Sequence, residues 1–288
     1  MSLNTYVINL DKDAARWKRQ SVELKKVGLQ PIRIPGILGK DVPIGLIDKH
    51  FTKTCNAFCP MSVIGCATSH LKAMNHFYSN DPAPFCLIME DDAYPMFTQI
   101  SQLNEFVKTL PPPDKWDMCL LHCDGKCPVR GEAPFANPMS GSGAAYLITK
   151  GGCKKLLEGG NIISHHLDLT TSKLPGFIKL VSPDNFFWTD EDSKMIAPSP
   201  TDTSNNRTPN SHWTIYDRIM NVICDTFWVN RGEKTWKHIR GYKAVRVPLT
   251  EKEFTASEVF LAIWISLILL LSPNKLRDLT ILLIIYNF

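Results

Sequence analysis

The stretch Phe85–Asp92, which reads FCLIMEDD, decides the interpretation of the fold. Phe85–Met89 is a continuous apolar run, which is typical of a strand buried on both faces of a parallel sheet. Glu90, Asp91 and Asp92 follow it without a break. Because ligands in open α/β sheets bind beyond the carboxyl ends of the strands, the sequence predicts a site where this strand ends.

The chemistry of these carboxylates indicates a metal ion. They repel one another and are partly desolvated, and a divalent cation would relieve both costs. Their hard oxygen atoms suit Mg²⁺ or Mn²⁺. In an extended strand Glu90 and Asp92 would share a face, so we expect these two to bind the metal. Asp91 would point away and serve the scaffold or a bound sugar, while the alternative for the whole cluster is a solvated acidic turn.

Strand and helix patterns alternate around this stretch and predict an α/β fold with a mainly parallel central sheet. Residues 35–60 are predicted to be a loop, and residues 183–213 an irregular connection. The predicted strands are Thr5–Leu10, Pro31–Ile34, Phe85–Met89, Trp116–His122 and Gly143–Ile148, and the predicted helices are Ala14–Val27, Ser62–Tyr78 and Lys150–Leu157.

Length and composition bound the class of protein. The chain has 288 residues, of which 44% are hydrophobic and 21% charged, which excludes intrinsic disorder. The net charge of +4 is too small for a dedicated nucleic-acid binder, and it is compatible with an acidic ligand.

The C-terminal residues change in character. Val259–Leu271 and Leu279–Phe288 are apolar runs separated by a turn, and each is shorter than the roughly 20 residues of a spanning helix. We therefore predict a main domain over residues 1–250 and a hydrophobic tail over 251–288. The tail is either a terminal helix docked on the body or a hairpin lying in a membrane face, which would give peripheral membrane contact through Val259–Phe288. An altered reading frame is a third interpretation.

The cysteines and the N-terminus bear on location. The chain has nine Cys, and its first residues show no signal-peptide pattern, so we expect a cytoplasmic protein with its Cys as free thiols. Cys55, Cys59 and Cys66 form one group, and Cys119, Cys123 and Cys127 form another. Zinc is the alternative for these groups, although structural zinc sites usually have closer pairs.

Several segments, in order along the chain, resemble glycosyltransferase family 25, which includes bacterial lipooligosaccharide galactosyltransferases and collagen hydroxylysine galactosyltransferases. The chain departs from the family pattern at Ile34–Asp41, and its tail has no counterpart there. The resembling segments are Tyr6–Asp11 with Arg16, Gly65–Ala73, Leu87–Ala93, Trp116–Asp117, Ala144–Ile148 with Gly151–Gly152 and Leu156–Leu157, and His166–Asp168.

The resemblance implies a nucleotide-sugar-binding fold of the GT-A type, a UDP-hexose donor and Mn²⁺ or Mg²⁺. It implies transfer of a hexose, galactose by preference, with inversion to a hydroxyl of a glycan, lipooligosaccharide or hydroxylysine. Asn9, Arg16, Ser69 and His70, with Glu90 and Asp91, are then expected to contact the donor and its cofactor.

An inverting transfer also needs a general base. The resemblance favours Asp168, with Asp190 or Glu191 as substitutes, and a helix cap or hydrogen-bond anchor is the structural alternative for Asp168. For His70 the alternative is a buried core histidine, and for Arg16 it is a surface pair with Asp11 or Asp13.

The sequence is also compatible with two other function classes. A metal-dependent phosphoesterase would also use an acidic strand end, with further ligands at other strand ends. A catalytically silent carbohydrate-binding or scaffold protein would not require all three carboxylates.

Overall fold

The computed structural model describes residues 3–122, 135–136, 143–164, 166–189, 243–246, 248, 252–255, 258–259, 262–263 and 266. The chain divides into two compact units, Met1–Ser199 and Pro200–Phe288. The predicted limit of the main domain at residue 250 stays a prediction.

The first unit is built on a seven-stranded sheet in the order β2-β1-β3-β7-β5-β8-β6. β6 and β7 run against the other strands of this sheet, which are parallel to one another. The predicted mixed α/β class with a mainly parallel sheet is therefore confirmed, and the GT-A type stays a prediction. The strands are β1 Thr5–Asn9, β2 Pro31–Pro35, β3 Phe85–Glu90, β4 Ala93–Pro95, β5 Met118–Leu120, β6 Phe135–Ala136, β7 Ala145–Thr149, β8 Lys179–Val181 and β9 Phe187–Thr189.

Helices cover both faces of the sheet. The longest in the described part of the chain is α4, which was predicted over Ser62–Tyr78. The helices are α1 Ala14–Lys26, α2 Ile44–His50, α3 Lys53–Phe58, α4 Met61–Asn80, α5 Ile100–Thr109, α6 Lys150–Glu158 and α7 Leu167–Lys173.

β3 lies at the centre of two apolar layers. Cys86 and Ile88 pack on the face that α4 and α6 cover, whereas Leu87 and Met89 pack on the face that α1 and α5 cover. These four side chains are fully buried. Burial on both faces explains why β3 is a continuous apolar run and does not alternate with polar residues.

The backbone of α4 lies directly against the loop that follows β2. A Cβ atom on Gly65 would stand 2.5 Å from the nitrogen of Gly39 and 2.7 Å from the oxygen of Ile37. The hydroxyl of Ser69 accepts a hydrogen bond from the Ile37 nitrogen at 2.8 Å. Gly65 and Ser69 therefore hold this loop against the helix.

Residues 35–60 differ from the predicted loop because they contain α2 and α3. Both helices are short, and the Gly and Pro residues around them hide the helical pattern. Thr52 caps α3 by accepting from the Cys55 nitrogen at 3.2 Å. α5 was not predicted, although Leu103 and Phe106 give it a buried side.

The cysteines also differ in part from the prediction. Cys55 and Cys59 form a disulfide, so the expectation of free thiols is wrong for this pair. Cys66, Cys86, Cys119 and Cys153 are not in disulfides and keep their thiols, as expected. Cys123 and Cys127 lie outside the described residues, so the second predicted cysteine group stays untested.

The second unit is described only in short segments. β10 Lys243–Arg246 and β11 Glu253–Thr255 form an antiparallel pair. Within the described residues, no helix has both the length and the apolar character needed to cross a membrane. Most of Val259–Phe288 lies outside those residues, so its contact with a membrane stays a prediction.

Candidate functional site

The carboxylates follow β3 in a tight turn that the surrounding backbone and Gln20 hold in place. β3 ends at Glu90, and β4 begins at Ala93. The amide of Gln20, from α1, donates to the carbonyl oxygens of Glu90 at 2.6 Å and Ala93 at 2.8 Å. The Glu90 nitrogen donates to the Ala144 oxygen at 2.8 Å. Because the strand ends at Glu90, the alternation that predicted a shared face for Glu90 and Asp92 does not extend to Asp92.

Asp91 points into the scaffold, where two predicted donor-binding residues meet it. Asn9, the last residue of β1, donates from Nδ2 to Asp91 Oδ2 at 2.6 Å. Arg16 Nη1 lies 3.3 Å from Asp91 Oδ1. The predicted alternative for Arg16 was a surface pair with Asp11 or Asp13. Arg16 forms an ion pair with the buried Asp91, and Asp11 pairs with Arg33 at 2.6 Å.

The surroundings of Asp91 make its carboxyl unusually easy to protonate. Desolvation raises the pKa of Asp91 to about 6, against the hydrogen bond from Asn9 and the charge of Arg16, which lower it. The neighbouring charges of Glu90 and Asp13 raise it further. Burial of the ionised Asp91 carboxylate therefore costs free energy, and the contacts with Asn9 and Arg16 only partly offset this cost.

Glu90 points toward α4, where His70 contacts it. His70 Nε2 lies 3.1 Å from Glu90 Oε1, and His70 Nδ1 lies 2.8 Å from the Tyr146 hydroxyl. His70 is buried, and Glu90 is 35% exposed. Cys66, one helical turn before His70, brings its Sγ to 4.0 Å from Glu90 Oε1.

The partners of Glu90 keep its carboxyl ionised. Desolvation raises the pKa of Glu90, but the hydrogen bond and charge of His70, with the charges of His166 and Arg16, bring the pKa below its ordinary value. The two carboxyls beside each other are therefore shifted in opposite directions, as at sites that perform chemistry.

Asp168 lies at the same edge of the sheet. It is half-buried in the first turn of α7, and its Cβ lies 4.0 Å from the position of a Cβ atom on Gly143. Gly143 precedes Ala144, whose oxygen binds the Glu90 nitrogen. His166, and not Asp168, precedes the first residue of α7 as its N-cap. The substitutes Asp190 and Glu191 lie outside the described residues.

The structure thus brings some predicted site residues together and separates another from them. Asn9, Arg16 and Asp91 form one cluster, and His70 and Glu90 form the adjacent one. Ser69 instead holds the loop after β2. Contacts of these residues with a donor stay predictions.

Sequence reasoning missed the roles of Gln20, Cys66 and Tyr146 at the site. Gln20 follows Arg16 by one helical turn, and Cys66 precedes His70 by one turn, so helical spacing was the available signal. Tyr146 belongs to a segment for which the sequence predicted only a strand. Its contact with His70 joins residues that are 76 positions apart.

A comparison with known families supports the resemblance inferred from the sequence. The sequence model of glycosyltransferase family 25, described as an LPS biosynthesis protein family, matches residues 2–111. Over these residues, the chain is a match to glycosyltransferase family 25. None of the curated proteins matches the chain significantly.

The family 25 match covers one side of the site. It includes Asn9, Arg16, Ser69, His70 and the three carboxylates, whereas Tyr146 and Asp168 follow its end. The match supports a glycosyltransferase, with a donor and an acceptor as substrates.

The raised pKa of Asp91 predicts how stability depends on pH. The folded state binds the proton of the Asp91 carboxyl more tightly than the unfolded state does. The free energy of unfolding therefore falls as this carboxyl ionises, while pH rises from about 4 to 7. A rise from 3.8 to about 6 corresponds to up to about 3 kcal/mol, at about 1.36 kcal/mol per unit. Urea unfolding of the wild type and Asp91→Asn at stepped pH should show the wild type losing stability relative to the variant over this range.

The control is Asp41→Asn, which removes an exposed carboxyl outside the cluster. The free energy of unfolding of Asp41→Asn should change with pH as that of the wild type does, over about pH 4 to 7. Parallel curves for Asp91→Asn as well would contradict the assignment of a raised pKa to Asp91.

Proposed function

We propose that this protein is a metal-dependent inverting glycosyltransferase that moves a hexose, galactose by preference, from a UDP-sugar to an acceptor hydroxyl. The observation that carries the proposal is the carboxylate turn at the end of β3, held by Gln20, Asn9 and Arg16 within the segment that matches family 25. A glycan, lipooligosaccharide or hydroxylysine would supply the hydroxyl.

The residues at the turn fit a hard divalent ion by the chemistry of their donor atoms. Glu90 has a lowered pKa and is partly exposed, so it offers an ionised oxygen to solvent. Asp92 follows in the same turn, and Glu90 and Asp92 would hold Mn²⁺ or Mg²⁺. When bound, such an ion stabilises the negative charge of a departing diphosphate.

Asn9, Arg16 and Gln20 would act by fixing the turn. Gln20 binds the backbone carbonyls of Glu90 and Ala93, which lie on either side of Asp91 and Asp92. Asn9 and Arg16 bind the Asp91 carboxylate. This keeps Asp91 directed away from Glu90. A rigid turn sets the direction of Glu90 and Asp92 before the donor arrives, which lowers the cost of binding it.

Asp168 is the proposed general base. Asp168 is half-buried, and its Cβ lies close to Gly143, at the edge of the sheet where Glu90 ends β3. A carboxylate in this region could take the proton of the acceptor hydroxyl as that oxygen attacks the anomeric carbon. Asp190 and Glu191 remain substitutes for this role. A cytoplasmic location and a membrane contact through Val259–Phe288 remain part of the proposal.

Metal-dependent turnover tests the proposed function. The full chain is incubated with UDP-galactose or UDP-glucose, with Mn²⁺, Mg²⁺ or a chelator, and UDP release is measured. We expect UDP release that requires the metal and falls by about 100-fold or more in Asp92→Asn, because several kcal/mol of leaving-group stabilisation is lost.

The matched control is Asp114→Asn, which removes an exposed carboxyl of the loop before β5 and should leave turnover unchanged. Release of phosphate from simple esters without UDP release would favour a phosphoesterase. UDP-sugar binding without turnover would favour a silent carbohydrate-binding protein, and both results would contradict the proposal.

A separate variant tests the general base. Asp168→Asn should lower turnover by about 100-fold to 10,000-fold, because the hydroxyl loses its proton acceptor. Thermal stabilisation by UDP-sugar and metal should persist. Asp184→Asn serves as a control carboxyl between β8 and β9. Near-normal turnover of Asp168→Asn would remove the assignment and direct the same measurement to Asp190→Asn and Glu191→Gln.

A further inference from the structure

Three ligand atoms of different chemistry meet beside the carboxylate turn. They are Cys66 Sγ, His70 Nε2 and Glu90 Oε1, and all lie within 4.8 Å of one another. The nitrogen and oxygen atoms are 3.1 Å apart, and the sulfur and oxygen atoms are 4.0 Å apart. In tetrahedral zinc sites the corresponding separations are about 3.4 Å and about 3.6 Å. Shifts of about 0.4 Å or less would bring these two pairs to zinc-site separations. The Cys66 sulfur and the His70 nitrogen lie within 4.8 Å of each other, against about 3.6 Å in a tetrahedral zinc site.

Secondary structure holds these ligands close without the ion. Cys66 and His70 lie one turn apart on the 20-residue helix α4, so their side chains project from the same face. Glu90 ends β3, whose backbone is bound by Ala144 and Gln20. Little further ordering is needed to bring the three groups together.

His70 also has an outer hydrogen-bond partner on its second ring nitrogen, as metal-binding histidines usually do. Its Nδ1 lies 2.8 Å from the hydroxyl of Tyr146, which is fully buried on β7. A hydroxyl can donate or accept, so Tyr146 supports His70 whichever ring nitrogen carries the proton. This fixes the ring while Nε2 faces Cys66 and Glu90.

The cluster is also accessible to solvent. Glu90 is 35% exposed and Cys66 is half-buried, while His70 is buried. Three protein ligands beside solvent leave a fourth position for water or a bound molecule, which is the arrangement of catalytic zinc sites. A closed structural site would instead carry four protein ligands.

We propose that Cys66, His70 and Glu90 form a binding site for a thiophilic divalent ion of the zinc class. A thiolate with an imidazole disfavours Mg²⁺, and this donor set binds Zn²⁺ more tightly than Mn²⁺. On binding, Cys66 releases its proton to solvent as the sulfur–metal bond forms, and His70 supplies the lone pair of Nε2. Thiolate and carboxylate together balance the double charge of the ion.

The site is distinct from the hard-ion pair Glu90 and Asp92, and it does not rest on the proposed transfer. The two ligand sets share Glu90. Zinc at the new site would therefore withdraw Glu90 from a manganese ion at the turn.

Zinc stoichiometry tests the site directly. The full chain is freed of metal by a chelator, loaded with Zn²⁺, separated from unbound ion and analysed for zinc. The wild type should hold one more zinc per chain than Cys66→Ser. Cys119→Ala is the matched control, because Cys119 is buried in the other apolar layer of the sheet, and it should hold as much zinc as the wild type. The difference in zinc content between the wild type and Cys66→Ser does not include zinc bound at other cysteines.

Two further readouts report the chemistry of binding. Loading with Co²⁺ should give a thiolate-to-cobalt charge-transfer band in the wild type and Cys119→Ala that is lost in Cys66→Ser. Tyr146→Phe keeps all three ligands and should weaken zinc affinity about 10-fold to 100-fold, because the ring loses its outer partner.

Protection of the wild-type thiol keeps the test decisive if Cys66→Ser does not fold. Zn²⁺ should block alkylation of Cys66, measured on its peptide by mass spectrometry, whereas Mg²⁺ should not. Equal zinc content in wild type and Cys66→Ser, or alkylation of Cys66 that zinc leaves unchanged, would overturn the proposal.

Discussion

Three consecutive carboxylates at the end of a buried strand repel one another and lose hydration, so they need stabilising contacts from their surroundings. The first unit supplies such contacts. Asn9 and Arg16 contact the Asp91 carboxylate, and His70 contacts the Glu90 carboxylate. The two solutions differ in effect, since the pKa of Asp91 is raised and that of Glu90 is lowered. The Asp91 carboxyl is therefore bound by scaffold residues, whereas the Glu90 carboxyl is ionised and partly exposed to solvent.

The fold supplies these partners because β1 and α4 both lie next to β3. β1 pairs with β3 in parallel, so Asn9 and Glu90 meet at the same edge of the sheet. α4 packs on one face of β3 and places His70 above its end. The glycines of the close contact between α4 and the loop after β2 keep the helix in that position.

The sequence predicted the elements whose signal is local. The apolar run before Glu90 predicted β3, and the helical pattern over Ser62–Tyr78 predicted α4. The short helices α2 and α3 were missed because each has few apolar positions and lies among Gly and Pro residues. The disulfide between Cys55 and Cys59 was missed because the N-terminal sequence indicated a reducing compartment.

The partners of the carboxylates could not be predicted because they are distant in sequence. Asn9 and Asp91 are 82 positions apart, and Gln20 and Glu90 are 70 apart. Their pairing depends on the strand order, which a hydrophobic pattern does not specify. Cys66 could have been found from its one-turn spacing to His70, but its nearest cysteines in the sequence suggested another grouping.

In the proposed transferase, the turn after β3 binds a divalent ion together with the diphosphate of UDP. This can be examined by anomalous diffraction from a crystal of the full chain soaked with Mn²⁺ and UDP. We expect a manganese peak between the Glu90 and Asp92 carboxylates with a phosphate oxygen among its ligands. A crystal with UDP bound and no manganese at these carboxylates would contradict it.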